Sequence, residues 1–210
     1  MNDVPFVGRQ VEFGALRTCL ADAERGRGRV LLVGGEPGIG KTRFVEAAIG
    51  EAMALGFGVA LGACDPCAGT PEYWPWRQVH HALIAPEDGE PLPPTAPVML
   101  DGIRVDDLTR PTSGPGADAA PDQRRFQLFE IGARALVRRA RRQPVLVALE
   151  DVQWADRSSL LLLEFLAPRL RSAAIVVLAT YRDLDVVPDH PLYAALAAVS
   201  RPPLWRASSR

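Results

Sequence analysis

The sequence predicts an α/β fold of three layers, α/β/α, around a mostly parallel sheet. Three observations carry this. Two short runs, Val145–Leu149 and Ile175–Thr180, are apolar almost throughout and read as strands buried on both faces. Segments of helical periodicity separate the strands, as in βαβ units. A further buried strand, Arg29–Val33, runs into a glycine-rich turn and then a helix over Thr42–Ile49, with Phe44, Val45, Ala48 and Ile49 on its apolar side.

Along the chain, residues 5–25 read as a leading loop and a helix, with Val11, Ala15, Leu16 and Leu20 near helical spacing. Gly26-Arg27-Gly28 breaks that helix before the first strand. Phe57–Ala63 reads as the second strand, and the aromatic stretch from Gly69 continues into a helix through Val79–Ile84. Residues 86–121 hold eight prolines and read as a long loop or partly disordered insertion inside the domain. Asp122–Arg142 is predicted as a helix with Phe126, Phe129, Ala133, Leu136, Val137 and Ala140 on one face and arginines elsewhere. That basic face reads as solvated, its last-turn arginines matched to the helix C-terminal dipole. Pro144 ends it. Ser158–Leu170 forms the next helix, with Asp156 as N-cap.

Composition excludes several classes. The 210 residues suit one domain, 1–200, with 201–210 read as a disordered or aberrant tail. The formal net charge of −1 does not mark a nucleic-acid binder, so DNA binding by this chain is not expected. No apolar run approaches the length of a membrane-spanning helix, and no secretory signal opens the chain, so no membrane partner is expected. Three cysteines make no disulfide framework, and a cytoplasmic location is expected. Cys64-Asp65-Pro66-Cys67 has no second ligand pair for zinc and reads as two ordinary thiols. Of 24 basic residues, Lys41 is the single lysine.

Lys41 falls in Gly35-Glu36-Pro37-Gly38-Ile39-Gly40-Lys41-Thr42, which fits G-x-x-x-x-G-K-[ST], the phosphate loop or Walker A form. Glycines let backbone N–H groups wrap phosphate oxygens, and the helix N-terminus adds a positive dipole end. Lys41 can reach the β- and γ-phosphates and should be exposed, and the Thr42 hydroxyl can coordinate Mg²⁺. Arg43 follows on the same turn.

The strand Val145–Leu149 runs into Glu150-Asp151, two adjacent carboxylates that need a compensating charge. Ligands bind at that end of a parallel sheet, and beside a phosphate loop Mg²⁺ is the natural partner. By position Glu150 takes the metal role and Asp151 the water-polarising role, with Asp151 also near the metal. The next strand ends in Thr180-Tyr181-Arg182, where Thr180 can sense a γ-phosphate and Arg182 can meet phosphate or the acidic pair.

Together these motifs resemble STAND-class and related AAA-type P-loop NTPases, as found at the head of bacterial LuxR-type transcription regulators and in origin-recognition-like ATPases. Phe6-Val7-Gly8-Arg9-Gln10-Val11-Glu12 resembles the family's F-V-G-R-x-x-E. The resemblance implies that Val7, Gly8 and Arg9 lie near the adenine ring. Tyr73-Trp74-Pro75-Trp76 looks like the family's aromatic segment, Leu149–Asp156 is similar to L-[DE]-D-x-[HQ]-W-A-D, and Ala179–Asp183 resembles its sensor strand. ATP and Mg²⁺ are implied as cofactors and ADP as the other bound state. The family continues into a fifth strand, a helical lid and usually a winged helix. Only 184–210 follow the sensor strand here, so the chain reads as truncated, with apolar sheet surface exposed and self-association or effector domains in trans expected. Three functions stay open at this point. They are a slow nucleotide-switch ATPase of a signalling protein or regulator, a binding-only module, and a DNA-associated origin-recognition-like ATPase. A small-molecule kinase fits poorly, for want of an arginine-rich lid after the third strand.

Overall fold

The computed structural model describes residues 9–67, 69–84, 99–100, 103–104, 121–186, 188–199 and 205–208. Helix α1 spans Gln10–Glu24, strand β1 Arg29–Gly34, α2 Lys41–Ala54, β2 Gly58–Ala63 and α3 Trp74–Ile84. A two-residue hairpin pairs β3, Met99–Leu100, with β4, Ile103–Arg104. Then come α4 Pro121–Ala140, β5 Val145–Glu150, α5 Arg157–Leu170, β6 Ile175–Tyr181, α6 Pro191–Val199 and β7 Trp205–Ser208.

The main sheet has five strands in the order β2-β5-β6-β1-β7, and every pairing is parallel. Alternation along each strand sends side chains to two cores. Leu31, Val33, Leu146, Ala148, Val176 and Leu178 pack with Leu16, Leu20, Phe44 and Val45 of α1 and α2. Val30, Leu32, Val147, Leu149, Val177 and Ala179 pack with Val79 of α3, Phe129 and Leu136 of α4, Leu163 and Leu166 of α5, and Leu192 and Leu196 of α6. This is the expected three-layer α/β/α arrangement. The register aligns Gly34 with Tyr181 and Leu149 with Ala179, so β1, β5 and β6 end along one edge of the sheet.

Four sequence expectations change. Val11 is 72% exposed, because the buried stripe of α1 runs through Glu12, Ala15, Leu16 and Cys19. Phe126 is also exposed, its ring meeting Phe165 edge-on at 5.6 Å. Within 86–121 the hairpin β3–β4 forms; the rest of that insertion, up to Pro121 at the start of α4, lies outside the described residues. Tail residues 201–210 are not without a strand: Trp205–Ser208 pairs with Leu31–Gly34 of β1. Backbone hydrogen bonds to β1 specify that edge strand, and an apolar pattern is not needed for it. With α6 burying Leu192, Ala195, Leu196 and Val199, this also covers part of the sheet surface expected to be bare.

Candidate functional site

Between β1 and α2 the loop Gly35–Gly40 turns through Gly38 at φ 79° and Gly40 at φ 89°, left-handed conformations that suit glycine. Gly40 precedes α2, so the loop ends on the first free N–H groups of a helix. Glu36, Pro37, Gly38 and Ile39 are exposed at its rim, as is Arg43 one turn on. A Cβ at Gly34 would run into the Asp183 carboxylate and the Tyr181 ring, which explains the glycine there.

Lys41 is 8% exposed, contrary to the expected exposure. Its stem folds back under the loop, and Nζ donates to the carbonyls of Gly35 and Glu36, each at 2.9 Å. Burial holds its pKa below the ordinary lysine value; Asp151 works against that shift, and Arg182 and Arg9 reinforce it. Arg9 joins from the start of α1, where it is held at φ 65°. Its Nη2 donates to the Ile39 carbonyl at 3.3 Å, and Nη1 lies 3.9 Å from Glu12. Val7 and Gly8 lie outside the described residues.

Glu150 ends β5 opposite the loop, on the Thr42 side of it. Burial, and the negative charges of Asp151 and Glu46, push the Glu150 carboxyl above its ordinary value, with Thr42 acting the other way. A carboxyl with a raised folded value binds its proton more tightly when folded. Its contribution to stability is therefore best in acid and falls as pH rises through the folded value. Glu150→Gln is expected to raise Tm in metal-free buffer at neutral pH, the gain shrinking towards about pH 5, near the ordinary carboxyl range. Thermal unfolding of both chains across that range checks this; a variant no more stable at neutral pH removes the buried-charge account.

Asp151 follows at φ 53°, ψ 45°, an unusual backbone for aspartate. Its N–H donates to Thr180 Oγ1 at 3.3 Å, and Arg182 Nε lies 3.8 Å from Oδ1. Gln153, at the [HQ] position of the L-[DE]-D-x-[HQ]-W-A-D resemblance but given no role there, lies beneath, 3% exposed. Its Nε2 donates to Asp151 Oδ1 at 3.1 Å, and its Oε1 accepts from the Arg182 N–H at 3.1 Å. The sequence marks it as a motif position and says nothing of its partners.

Asp156 caps α5 as expected, Oδ1 accepting from Ser159 N–H at 2.9 Å. Its Oδ2 accepts from the N–H of Tyr73, itself at φ 62°, at 3.1 Å, and Trp76 Nε1 donates to the Ser159 carbonyl at 3.0 Å. The aromatic segment is thus docked on the acidic loop. Asp156→Ala is expected to cost about 1–2 kcal/mol, the range for a lost N-cap, read as a lower urea midpoint at unchanged slope. A midpoint equal to wild type would remove the cap from the account.

The thiols of Cys64 and Cys67 are far from reactive: burial pushes Cys64 up to about 12, and Asp65 raises Cys67. On α4, Glu130 takes Arg134 of the same helix at 3.5 Å and Arg169 of α5 at 2.7 Å, which ties one arginine of the basic helix to a carboxylate. Among the described residues no three His, Cys, Asp or Glu side chains gather as a metal set. A cation between Thr42 and Glu150 would fit as Mg²⁺ does elsewhere, held by few protein oxygens and completed by phosphate.

The AAA ATPase domain family matches residues 5–178, ending within β6. The chain belongs to this family. The fold of this AAA ATPase domain is also that of larger solved proteins. One is the ORC1 protein of Aeropyrum pernix in complex with DNA, at TM-score 0.53 and 18% identity. Another is Drosophila ORC bound to DNA, at TM-score 0.52 and 16% identity. The AAA ATPase domain is covered to 98% and 97%, yet spans only 46% and 43% of those chains. No curated protein matches it. Among the described residues no helix is long and apolar enough to cross a membrane.

Proposed function

We propose that this AAA ATPase domain is a nucleotide switch that binds ATP with Mg²⁺, hydrolyses it slowly, and serves a larger cytoplasmic signalling ATPase or transcription regulator. The observation that carries the reading is the buried Lys41, whose Nζ donates to the Gly35 and Glu36 carbonyls beneath a glycine loop that opens α2, with the Asp151 charge close enough to act on it. In this reading Gly35–Thr42 cradles the phosphates, Lys41 turns outward to meet them, and Thr42 and Glu150 hold the metal. Bound Mg²⁺ would supply charge neutralisation across the β- and γ-phosphates. Asp151 orients and polarises the attacking water, Arg182 and Thr180 respond to the γ-phosphate, and Arg9 fixes the loop from the adenine side. Effector regions in trans or a second copy would receive the switch.

Calorimetry on the purified chain with ATP and ADP, with and without Mg²⁺, tests this. Expected are Mg²⁺-dependent 1:1 binding of ATP and slow phosphate release that disappears in Lys41→Ala. Absence of ATP binding would remove the proposal. Salt-dependent DNA binding by the chain would favour the origin-recognition-like alternative.

A further inference from the structure

We infer that Gln153 is a positioning residue: its side-chain amide clamps the Asp151 carboxylate to the end of the sensor strand, so that the acid and β6 move as one unit. The inference rests on the ATPase reading for its effect on rate, but the clamp itself stands on geometry.

The chemistry of the two partners fixes the amide's orientation. The Arg182 backbone N–H can only donate, so it must face Oε1. The ionised Asp151 carboxylate can only accept, so it must face Nε2. Glutamine supplies one acceptor and one donor, which matches both demands. Glutamate would keep the first bond, lose the second and set a second carboxylate against Asp151. The amide is buried, so each bond is made in a setting where an unmade one is costly. The clamp also has a reason to exist. Asp151 is held in a left-handed backbone conformation, its N–H on Thr180 Oγ1 at 3.3 Å and its carbonyl accepting from the Trp154 N–H at 2.9 Å, ties that fix the backbone and leave the carboxylate to be placed by side chains. Without Gln153 its carboxylate is left with Arg182 Nε at 3.8 Å, an ion-pair distance and not a hydrogen bond. The result is a closed circuit of Asp151, Gln153, Arg182 and Thr180 across the ends of β5 and β6. A displacement at the sensor strand therefore reaches the acid through Gln153.

Three variants test this. Gln153→Met loses both bonds at similar volume, Gln153→Glu loses the donor, and Gln153→His retains one donor and one acceptor as a neutral imidazole. Two readouts are taken on the full chain: hydrogen exchange at the Arg182 amide, and single-turnover hydrolysis of labelled ATP–Mg²⁺ with protein in excess. Expected are Arg182 exchange at least about tenfold faster in Gln153→Met, and hydrolysis about tenfold slower in Gln153→Met and Gln153→Glu, a step of one pK-sized free-energy unit. Gln153→His should recover to within about threefold of wild type, and ATP affinity should stay within about threefold in all three. In an Asp151→Asn background Gln153→Met should slow hydrolysis no further, a non-additivity that a merely structural residue would not show. Unchanged Arg182 exchange in Gln153→Met overturns the clamp. Normal exchange loss with unchanged hydrolysis, or no rescue by histidine, overturns the positioning role. A wild-type chain with no Lys41-dependent hydrolysis overturns the ATPase reading and the rate role with it, and is recognised because the Arg182 exchange result is independent of turnover.

Discussion

Asp151→Asn is expected to slow ATP hydrolysis by about 10²–10⁴-fold, the usual worth of a positioned general base, while ATP–Mg²⁺ affinity stays nearly unchanged. The substitution is close to isosteric. The Asn side-chain oxygen can still accept from Gln153, and the backbone bond to Thr180 is untouched, so the loop should keep its shape. What is lost is the anionic oxygen that polarises water. The wild-type rate it starts from should itself be low, below about one per second, the low end of typical turnover. Arginine fingers raise rates in phosphoryl transfer by roughly 10³–10⁵, and here Arg182 lies at ion-pair distance from Asp151. Phosphate release by the two purified chains decides the matter. Equal rates would make this a binding-only module, and several turnovers per second in wild type would show that Arg182 is freed on binding.

Lys41→Ala should weaken ATP–Mg²⁺ binding by about 10- to 100-fold, the value of one hydrogen bond to a charged group at about 1.5–3 kcal/mol. Because Lys41 is buried under the loop, the loss has a second component. The carbonyls of Gly35 and Glu36 lose their donor, and the loop loses the strut that spans its base. A modest fall in Tm should therefore accompany the fall in affinity. Titration calorimetry against ATP–Mg²⁺ checks the first and a thermal melt the second; unchanged affinity would remove the phosphate-loop assignment.

What could be read in advance follows from the range of each interaction. The turn Gly35–Gly40 between β1 and α2 was legible because its demands are local: glycines where the backbone turns tightly between a buried strand and a helix. The strands β1, β5 and β6 were legible because burial on both faces leaves only apolar residues. Asp156 was legible as a cap because capping spans three residues. Gln153 was not, since its two partners lie on different strands and its meaning arises only when β5 and β6 are adjacent. The burial of Lys41 was hidden for the same reason, because a folded-back ammonium depends on the path of the loop. The parallel pairing of Trp205–Ser208 with β1 is carried by backbone groups that every residue shares, so composition could not announce it.

That pairing has a temporal side. The strand that leads into the phosphate loop, β1, lies between β6 and β7, and both neighbours come from the far end of the chain. On a ribosome adding about 5–20 residues per second, roughly 10–30 s separate the synthesis of β1 from that of β7. For that interval β1 presents unpaired amide and carbonyl rows, the template on which stray strands add. The Gly35–Gly40 loop is thus born on an almost fully buried strand that waits longest for its flank to close. A nascent chain would gain most from a chaperone, or from bound nucleotide, between the emergence of β6 and the docking of Trp205–Ser208.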